Sequence, residues 1–538
     1  MTALLHHGFM ASAARAPHAT ALQLGADSWS YAQLDANAHR IAGGLQAIAA
    51  APARVGIFAR RSLVSYTGVL GALFAGAAFV PLNPALPAAR LQSVIDLAQL
   101  DAIVCEQRHL PLLRTILAQC QASPRVLVAQ AVREAPDAPP TVQLSASENG
   151  SAMPAPDSRT ATASPGIAYI LFTSGSTGTP KGVPVSHANV AAFLASNAAR
   201  YRLSPGDVVS QTFEQSFDLS VFDLFMAWNA GAALCALAAT ELLSPLSAIR
   251  ARGITVWFSV PSVIAVQIRL GLLQPGSLPS LRLSLFCGEP LVRAHAQAWQ
   301  DAAPASIVEN LYGPTELTIA CAVHRWNPRT SPQQCRNEIV PIGRIYDGLR
   351  HLVVDEHLQP VPPGAEGELC VAGPQTFAGY WRNPEADAAA FFTRGTAEGE
   401  TLRFYRTGDV VRALDGGELV FVGRRDHQIK VRGHRIELGE IEAALRAQPG
   451  VVEAVAFAWP PHASVTEDIV AAVSGEGIDG QAVRGQVQGL LQPHMVPAAI
   501  KVIQTMPRSG TGKLDRRALR DALLSDHGLL AKGEVHAG

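Results

Sequence analysis

The sequence predicts an α/β protein with two domains. The large N-terminal domain, residues 1–425, combines layered α/β subdomains with a β-rich subdomain, and a small α+β C-terminal domain follows at 426–538. Three observations predict this. A chain of 538 residues exceeds what one ordinary core accommodates. Short apolar runs alternate with helical patterns through most of the first 326 residues, the pattern of a parallel sheet covered by helices. After the charged segment Gly423–Arg435, the last hundred or so residues read as a separate unit.

Taken in order, RVGIFA (54–59) predicts a strand, Leu63–Ala75 a helix and Ala78–Leu82 a strand. DAIVCE (101–106) and RVLVA (125–129) predict two more strands. The run Leu63–Leu82 has no charge and is long enough to cross a bilayer. Its Gly/Ala richness, with Arg60-Arg61 as the sole flanking cluster, favours a buried helix followed by a buried strand. Glu134–Pro165, rich in Pro, Ala and Ser, predicts an exposed, partly mobile connection. The α/β pattern resumes at Ile167 and runs to Trp326. β-like runs follow at Arg350–Val354, Gly367–Val371 and Gly417–Val422. The last unit should contain a helix (Leu438–Ala447), two strands (Val451–Ala458, Asp468–Val473), a second helix (Ala482–Leu491) and a final helix after Asp515.

Net charge is −1, which lacks the basic footprint of nucleic-acid binding. Charged residues make up 16 % and apolar residues 48 %, as expected for an ordered globular chain. The 7 cysteines are scattered without CxxC spacing, so reduced thiols, no zinc site and a cytoplasmic setting are expected. The N-terminus lacks the pattern of a signal peptide, and no membrane association is expected.

The most informative stretch is YILFTSGSTGTPKGV (169–183), an apolar strand running into a loop of three glycines, five hydroxyls and Lys181. Glycines let backbone N–H groups approach and nest an anion, and the hydroxyls and lysine add donors and charge. A flexible Ser/Gly linker would not normally follow such a strand or end in Pro-Lys-Gly. The loop is not a Walker A motif, because Pro180 precedes the lysine and Gly182 follows it. Ser509–Lys513 fails the same test, with Leu514 after the lysine and Pro507 in place of the first glycine.

This loop resembles the signature of the adenylate-forming superfamily, which includes acyl-CoA synthetases, luciferases and the adenylation domains of nonribosomal peptide synthetases. An ordered series of segments is similar to the core motifs of amino-acid adenylation domains: LFAGAAFVPLNP (73–84), FDLSVFD (217–223), NLYGPTE (310–316), GELCVAG with GYWRNP (367–384), YRTGDVVR (405–412), GRRDHQIKVRGHRIELGEIE (423–442) and PRSGTGKLDRRAL (507–519). Two departures stand out: Asn83 where the family often has Asp, and GPQTFAGYW, which fits its motif loosely.

The resemblance implies ATP and Mg²⁺ as cofactors. It assigns Thr173, Ser174, Gly175, Ser176, Thr177 and Gly178 to the phosphates together with Lys181, and Tyr312 to the adenine, with Gly288, Asn310, Gly313 and Thr315 around the nucleotide. Glu316 would help bind Mg²⁺, Asp409 the ribose hydroxyls, and Arg424 the nucleotide nearby. Lys513 would reach the carboxylate and α-phosphate; with Lys181 and Glu316 it forms the implied catalytic set. Joining a carboxylate to a phosphate brings two anions together, so positioning and positive charge matter more than an acid or base. Asp426 is the implied hinge of a mobile C-terminal domain, whose rotation would withdraw Lys513 and bring the 433–437 region to a thiol tunnel.

For the acid, the resemblance implies that Asp218 pairs with a substrate α-ammonium, since a carboxylate in an apolar pocket is costly unless a cation meets it. A helix-capping Asp is the competing structural use. The implied pocket comprises Phe217, Asp218, Leu219, Phe222, Leu285, Cys287, Leu311, Ile319 and Ala320, with Phe258 joining them. These apolar and bulky side chains favour a small neutral amino acid: alanine of either hand, proline, serine, cysteine or glycine. FCGE (286–289) with FDLS resembles D-alanine–carrier protein ligases, and free-standing proline-activating enzymes are similar. The expected partner is a separate phosphopantetheinylated carrier protein. An acyl- or aryl-CoA synthetase of the same superfamily is the alternative, and a catalytically inactive binding homologue the third possibility; joint retention of Lys181, Glu316, Asp409 and Lys513 argues against the last.

Overall fold

A computed structural model describes residues 4–49, 51–135, 138–145, 166–175, 179–395, 399–426, 428–460, 468–508 and 514–525. It divides into two compact units, with a boundary between Arg425 and Asp426. Two short stretches of the N-terminal part, Leu86–Arg90 and Thr173–Pro180, group with the second unit.

The first unit is a mixed α/β structure built on three sheets. The seven-stranded sheet runs Thr141–Ser145, Arg125–Val132, Ala102–Glu106, Arg54–Phe58, Ala78–Pro81, Ile167–Thr173, Lys181–Ser186. Its centre is parallel: Arg54–Phe58 pairs with Ala78–Pro81 on one side and Ala102–Glu106 on the other. The uncharged run from Leu63 forms the helix Leu63–Phe74 and then the strand Ala78–Pro81, almost wholly buried. Ser62 caps that helix in a reciprocal capping box with Ser65. Gly71 lies against the helix Tyr31–Ile48, where a Cβ would stand 2.6 Å from Ile41 Cγ2 and 3.0 Å from the Ala38 carbonyl, so glycine is required for this close approach. No helix among the described residues is long and apolar enough to cross a membrane.

The expectation of an irregular connection over Glu134–Pro165 needs correcting in part. Thr141–Ser145 is an antiparallel edge strand on Arg125–Val132, and 146–165 lie outside the described residues. The segment TVQLS alternates weakly, and only Val142 in it is fully buried, which explains why composition masked it.

The nine-stranded sheet runs Arg344–Ile345, Ala322–Arg325, Ile307–Tyr312, Leu283–Phe286, Val256–Ser259, Val208–Gln211, Ala233–Ala236, Thr20–Leu24, Asp27–Ser30. Its central strands are parallel and buried on both faces, as continuous apolar runs such as VWFS and LSLF require. The third sheet is antiparallel: Arg350–Val354, Glu366–Ala372, Thr401–Ala413 and Phe391–Gly395, with Leu419–Arg424 also paired to Thr401–Ala413.

In the second unit, a hairpin (Gln428–Val431, His434–Glu437) leads into the helix Leu438–Arg446. A three-stranded sheet follows, with Val451–Trp459 antiparallel to Asp468–Gly475 and Ala499–Val502 parallel to the latter. The helices Gly480–Gln488 and Arg516–Ser525 complete it. Ile436, Ile441, Leu445, Val473, Val483 and Val487 belong to its apolar centre. The strand Ala499–Val502 went unread in the sequence because its four residues AIKV are too short, and too interrupted by Lys501, to show a period.

Candidate active site

In the first unit, three parallel strands and one helix converge on a single apolar cluster. Val256–Ser259 supplies Phe258, Leu283–Phe286 supplies Leu285 with Cys287 just beyond, and Ile307–Tyr312 supplies Leu311 and Tyr312. The helix Leu219–Ala230 brings Leu219 and Phe222, and the turn after Tyr312 brings Ile319 and Ala320. All are buried in the same cluster, with Phe217 packed against it. Residues at the ends of parallel strands are where open α/β sheets gather ligand-binding groups. Phe222 and Phe258 meet edge to face, 4.9 Å between centroids, and Phe213 meets Phe258 the same way at 5.0 Å.

Asp218 is the one carboxylate among the predicted pocket residues. It occupies the N-cap position of Leu219–Ala230, yet its side chain makes no capping hydrogen bond. It is 7 % exposed, and its Oδ2 is buried without a hydrogen-bond partner among the described residues. Burial pushes its pKa up to about 6; the Thr315 hydroxyl and the backbone N–H groups of Ile319 and Leu219 pull it down, while the Glu316 carboxylate adds to the rise.

The turn that supplies two of those donors is folded tightly. A Cβ on Gly313 would stand 2.5 Å from Ala320 Cα, so only glycine lets the chain double back. Thr315–Leu317 forms a 3₁₀ turn, after which Thr318 and Ile319 take φ of 59° and 73°. Two consecutive β-branched residues in the left-handed region are strained, and such strain persists only where surrounding contacts enforce it.

Glu316, in that turn, is buried and accepts a hydrogen bond from Tyr380 Oη at 2.8 Å. Lys181 Nζ lies 5.6 Å from the centroid of the Tyr380 ring. Mg²⁺ is typically held by one or two carboxylates together with substrate phosphates, and a buried carboxylate hydrogen-bonded to a tyrosine whose ring Lys181 approaches fits that pattern. Glu316 would hold the ion, which would neutralise phosphate charge.

A second polar centre joins Ile307–Tyr312 to the antiparallel sheet. Tyr312 Oη donates to Asp409 Oδ2, and Arg424 Nη1 donates to Asp409 Oδ1 at 2.6 Å. Asp409 and Arg424 are cross-strand partners in register. Burial, and then the facing Asp409 carboxylate, push the Tyr312 phenol well above its usual range, so it remains a donor. Thr407 Oγ1 accepts from the Asp409 N–H at 3.0 Å and donates to the Leu369 carbonyl at 2.8 Å. Asn310 is buried; its Nδ2 donates to the Pro341 carbonyl at 2.9 Å, and its Oδ1 has no partner among the described residues.

Gly288 follows Cys287 with φ 93°. Thr173, Ser174 and Gly175 group with the second unit, as does Asp426, its first residue after the boundary. Ser176, Thr177, Gly178 and Lys513 lie outside the described residues. Tyr380 and Thr407 were not singled out in the sequence, although both lie inside the quoted GYWRNP and YRTGDVVR segments. The conspicuous Glu316 of NLYGPTE and Asp409 of YRTGDVVR drew attention instead, and only three-dimensional proximity shows which neighbours orient them.

An α/β core with a buried carboxylate beside an apolar cluster, a Tyr–Asp–Arg centre and a second buried carboxylate that accepts from a tyrosine hydroxyl agrees with an adenylate-forming enzyme. The family model described as AMP-binding enzyme matches residues 9–381, and that of the AMP-binding enzyme C-terminal domain matches residues 440–513. The chain belongs to the AMP-binding enzymes, of the nonribosomal-peptide-synthetase adenylation type. It is an AMP-forming ligase using ATP with Mg²⁺.

The chain is 37 % identical to a probable non-canonical nonribosomal peptide synthetase, CymA, of Salinispora arenicola, over 95 % of this chain and 6 % of that protein. The chain therefore spans only a small part of that relative. The adenylation domain AlmE of Vibrio cholerae, solved with glycyl-adenosine-5'-phosphate, is similar with a TM-score of 0.82 and 30 % identity, covering 97 % of this chain and 98 % of that one. PA1221, a nonribosomal-peptide-synthetase protein containing adenylation and PCP domains, is similar with a TM-score of 0.76 and 25 % identity, covering 96 % and 84 %.

Proposed function

We propose that this chain activates a small neutral amino acid as its aminoacyl-AMP and then transfers it to the phosphopantetheine thiol of a separate carrier protein. A substrate carboxylate oxygen attacks the α-phosphorus of ATP, the bond to the β-phosphate oxygen breaks, and pyrophosphate leaves. A thiolate sulfur then attacks the acyl carbon, the bond to AMP breaks, and the thiol proton goes to solvent.

The observation that carries the amino-acid reading is Asp218: a carboxylate with one buried oxygen unpartnered among the described residues, between Phe217 and Leu219 of the apolar cluster. An α-ammonium supplies the missing donor and charge. In this reading the edge-to-face Phe222–Phe258 pair would limit the length of the substrate side chain. This favours the small neutral acids: alanine of either hand, proline, serine, cysteine and glycine. In this reading Tyr312, Gly288, Asn310, Gly313 and Thr315 surround the nucleotide, Asp409 and Arg424 hold the ribose, and Lys181 with Thr173–Gly178 hold the phosphates. Lys513 carries positive charge to the reacting atoms, and Asp426 is the hinge between residues 1–425 and 426–538. The seven cysteines are all free thiols, which fits a reducing, cytoplasmic setting. The AlmE complex supports a small substrate by likeness, and PA1221 a carrier partner.

The test is amino-acid-dependent ATP–pyrophosphate exchange over the twenty L-amino acids, D-alanine, and several fatty and aryl acids. It is followed by transfer to coenzyme A or to a phosphopantetheinylated carrier. Exchange with a small neutral amino acid and transfer to the carrier is the expected outcome. Exchange with fatty or aryl acids and transfer to coenzyme A would establish the acyl-CoA synthetase alternative instead.

A further inference from the structure

The segment GPQTFAGYW fits its motif loosely, and the structure shows what its glutamine touches. Gln375 is 1 % exposed. Its Nε2 lies 2.8 Å from the Ala320 carbonyl and 3.2 Å from the Leu317 carbonyl, with the Thr318 carbonyl at the longer 3.5 Å. A primary amide carries two N–H bonds, enough for the two shorter contacts. In the reverse direction, Thr318 Oγ1 donates to the Gln375 carbonyl at 2.6 Å. Leu317, Thr318 and Ala320 flank or form the strained stretch in which Thr318 and Ile319 have positive φ.

The turn bearing Gln375 is itself fastened on both sides. Asn189 Nδ2 donates to the Pro374 and Thr376 carbonyls at 2.7 and 3.1 Å, and the Phe377 N–H donates to the Glu316 carbonyl at 2.9 Å. Gln375 therefore joins a fixed turn to a strained one. The strained turn bears Ile319 and Ala320, which lie in the apolar cluster, and the Ile319 N–H, which acts on Asp218.

We propose that Gln375 is the positioning residue for amino-acid recognition: its amide, bonded to Leu317 and Ala320 on either side, clamps Thr318 and Ile319 in the left-handed conformation that shapes the pocket wall and aims the Ile319 N–H at Asp218. The inference rests on the amino-acid reading of the site above. Among the described residues Gln375 makes no hydrogen bond to the Tyr312–Asp409–Arg424 centre or to Lys181, so its removal should separate the two substrates. The clamp also explains how two β-branched residues hold a conformation they disfavour.

The test is steady-state ATP–pyrophosphate exchange by Gln375→Met, which keeps the side-chain length and removes both donors. The amino-acid KM should rise at least tenfold while the ATP KM stays within twofold. Discrimination against an amino acid one methylene larger should also fall. Should Gln375→Met fail to fold, Gln375→Asn serves the same purpose, since its amide is one methylene short of the Ala320 carbonyl. A purely structural role would lower kcat through loss of active protein, or raise both KM values together; either result, or two unchanged KM values, overturns the inference. Wild-type protein without amino-acid-dependent exchange overturns the underlying reading and this inference together, whereas exchange with a flat amino-acid KM in the variants overturns the inference alone.

Discussion

Replacing Asp218 by Asn should abolish activity and stabilise the ligand-free protein, two effects of opposite sign from one group. The carboxyl is raised from 3.8 to about 6 chiefly by burial, and that gap corresponds to about 3 kcal/mol of disfavoured ionisation at neutral pH. The sign follows from proton binding. Between these two values the folded state holds the proton more tightly than the unfolded chain, so stability is greatest below about pH 4 for this group and falls as pH rises through about 6. Asn removes the ionisation, and the thermal midpoint at pH 7.5 should rise by the equivalent of about 1–3 kcal/mol, less as pH falls toward 4. Bound substrate reverses the balance, because its ammonium would then face a neutral amide in an apolar pocket. Breaking one side of a buried ion pair costs about 3–5 kcal/mol, or roughly 100- to 1,000-fold or more in kcat/KM. Wild-type enzyme should likewise show an amino-acid KM that climbs as pH falls below about 6, with the ATP KM read alongside as a control. Exchange assays and differential scanning calorimetry across pH 5–8 measure both. Less than a fivefold loss of kcat/KM in Asp218→Asn, or a fall in its thermal midpoint at neutral pH, would refute the ammonium-pairing argument.

The other predictions concern neighbouring contacts. Tyr380→Phe removes the hydroxyl that donates to Glu316 at 2.8 Å; a hydrogen bond to a charged group is worth about 1.5–3 kcal/mol, and the Mg²⁺ concentration for half-maximal exchange should increase about tenfold. Arg424→Ala leaves Asp409, buried and paired with it at 2.6 Å, without its cation; the ATP KM should rise, and thermal unfolding should show a loss of about 3 kcal/mol or more. Phe222→Ala opens space beside Phe258, so medium-sized amino acids should become substrates in the exchange panel, at a stability cost of about 3–5 kcal/mol.

The candidate site residues were legible in order along the chain, because they sit in short segments whose spacing survives in one dimension. The loop at 173–182, FDLSVFD, NLYGPTE and YRTGDVVR each announced a charged or hydroxyl-bearing residue beside glycines and apolar strands. The helix and strand within Leu63–Leu82 were equally readable, since an unbroken apolar run of that length, flanked by Gly and Ala, has few soluble solutions. The strands Thr141–Ser145 and Ala499–Val502 were not, because edge or short strands bury too little to impose a period.

By itself, the sequence determined the α/β architecture and the family, and it supplied the candidates for the chemically active side chains, since these depend on residue type and local spacing. Only the tertiary structure decided which of them meet. Asp218 sits at an N-cap position without capping its helix, one of its oxygens is buried without a partner among the described residues, and Thr315 and Ile319, about a hundred residues away, are folded against it. Tyr312, Asp409 and Arg424 form one centre because two sheets bring their strands together. Gln375, unremarkable in the chain, clamps a strained turn 55 residues away. Long-range hydrogen bonds and burial have no periodic signature, so the roles they confer are settled only when the chain is folded.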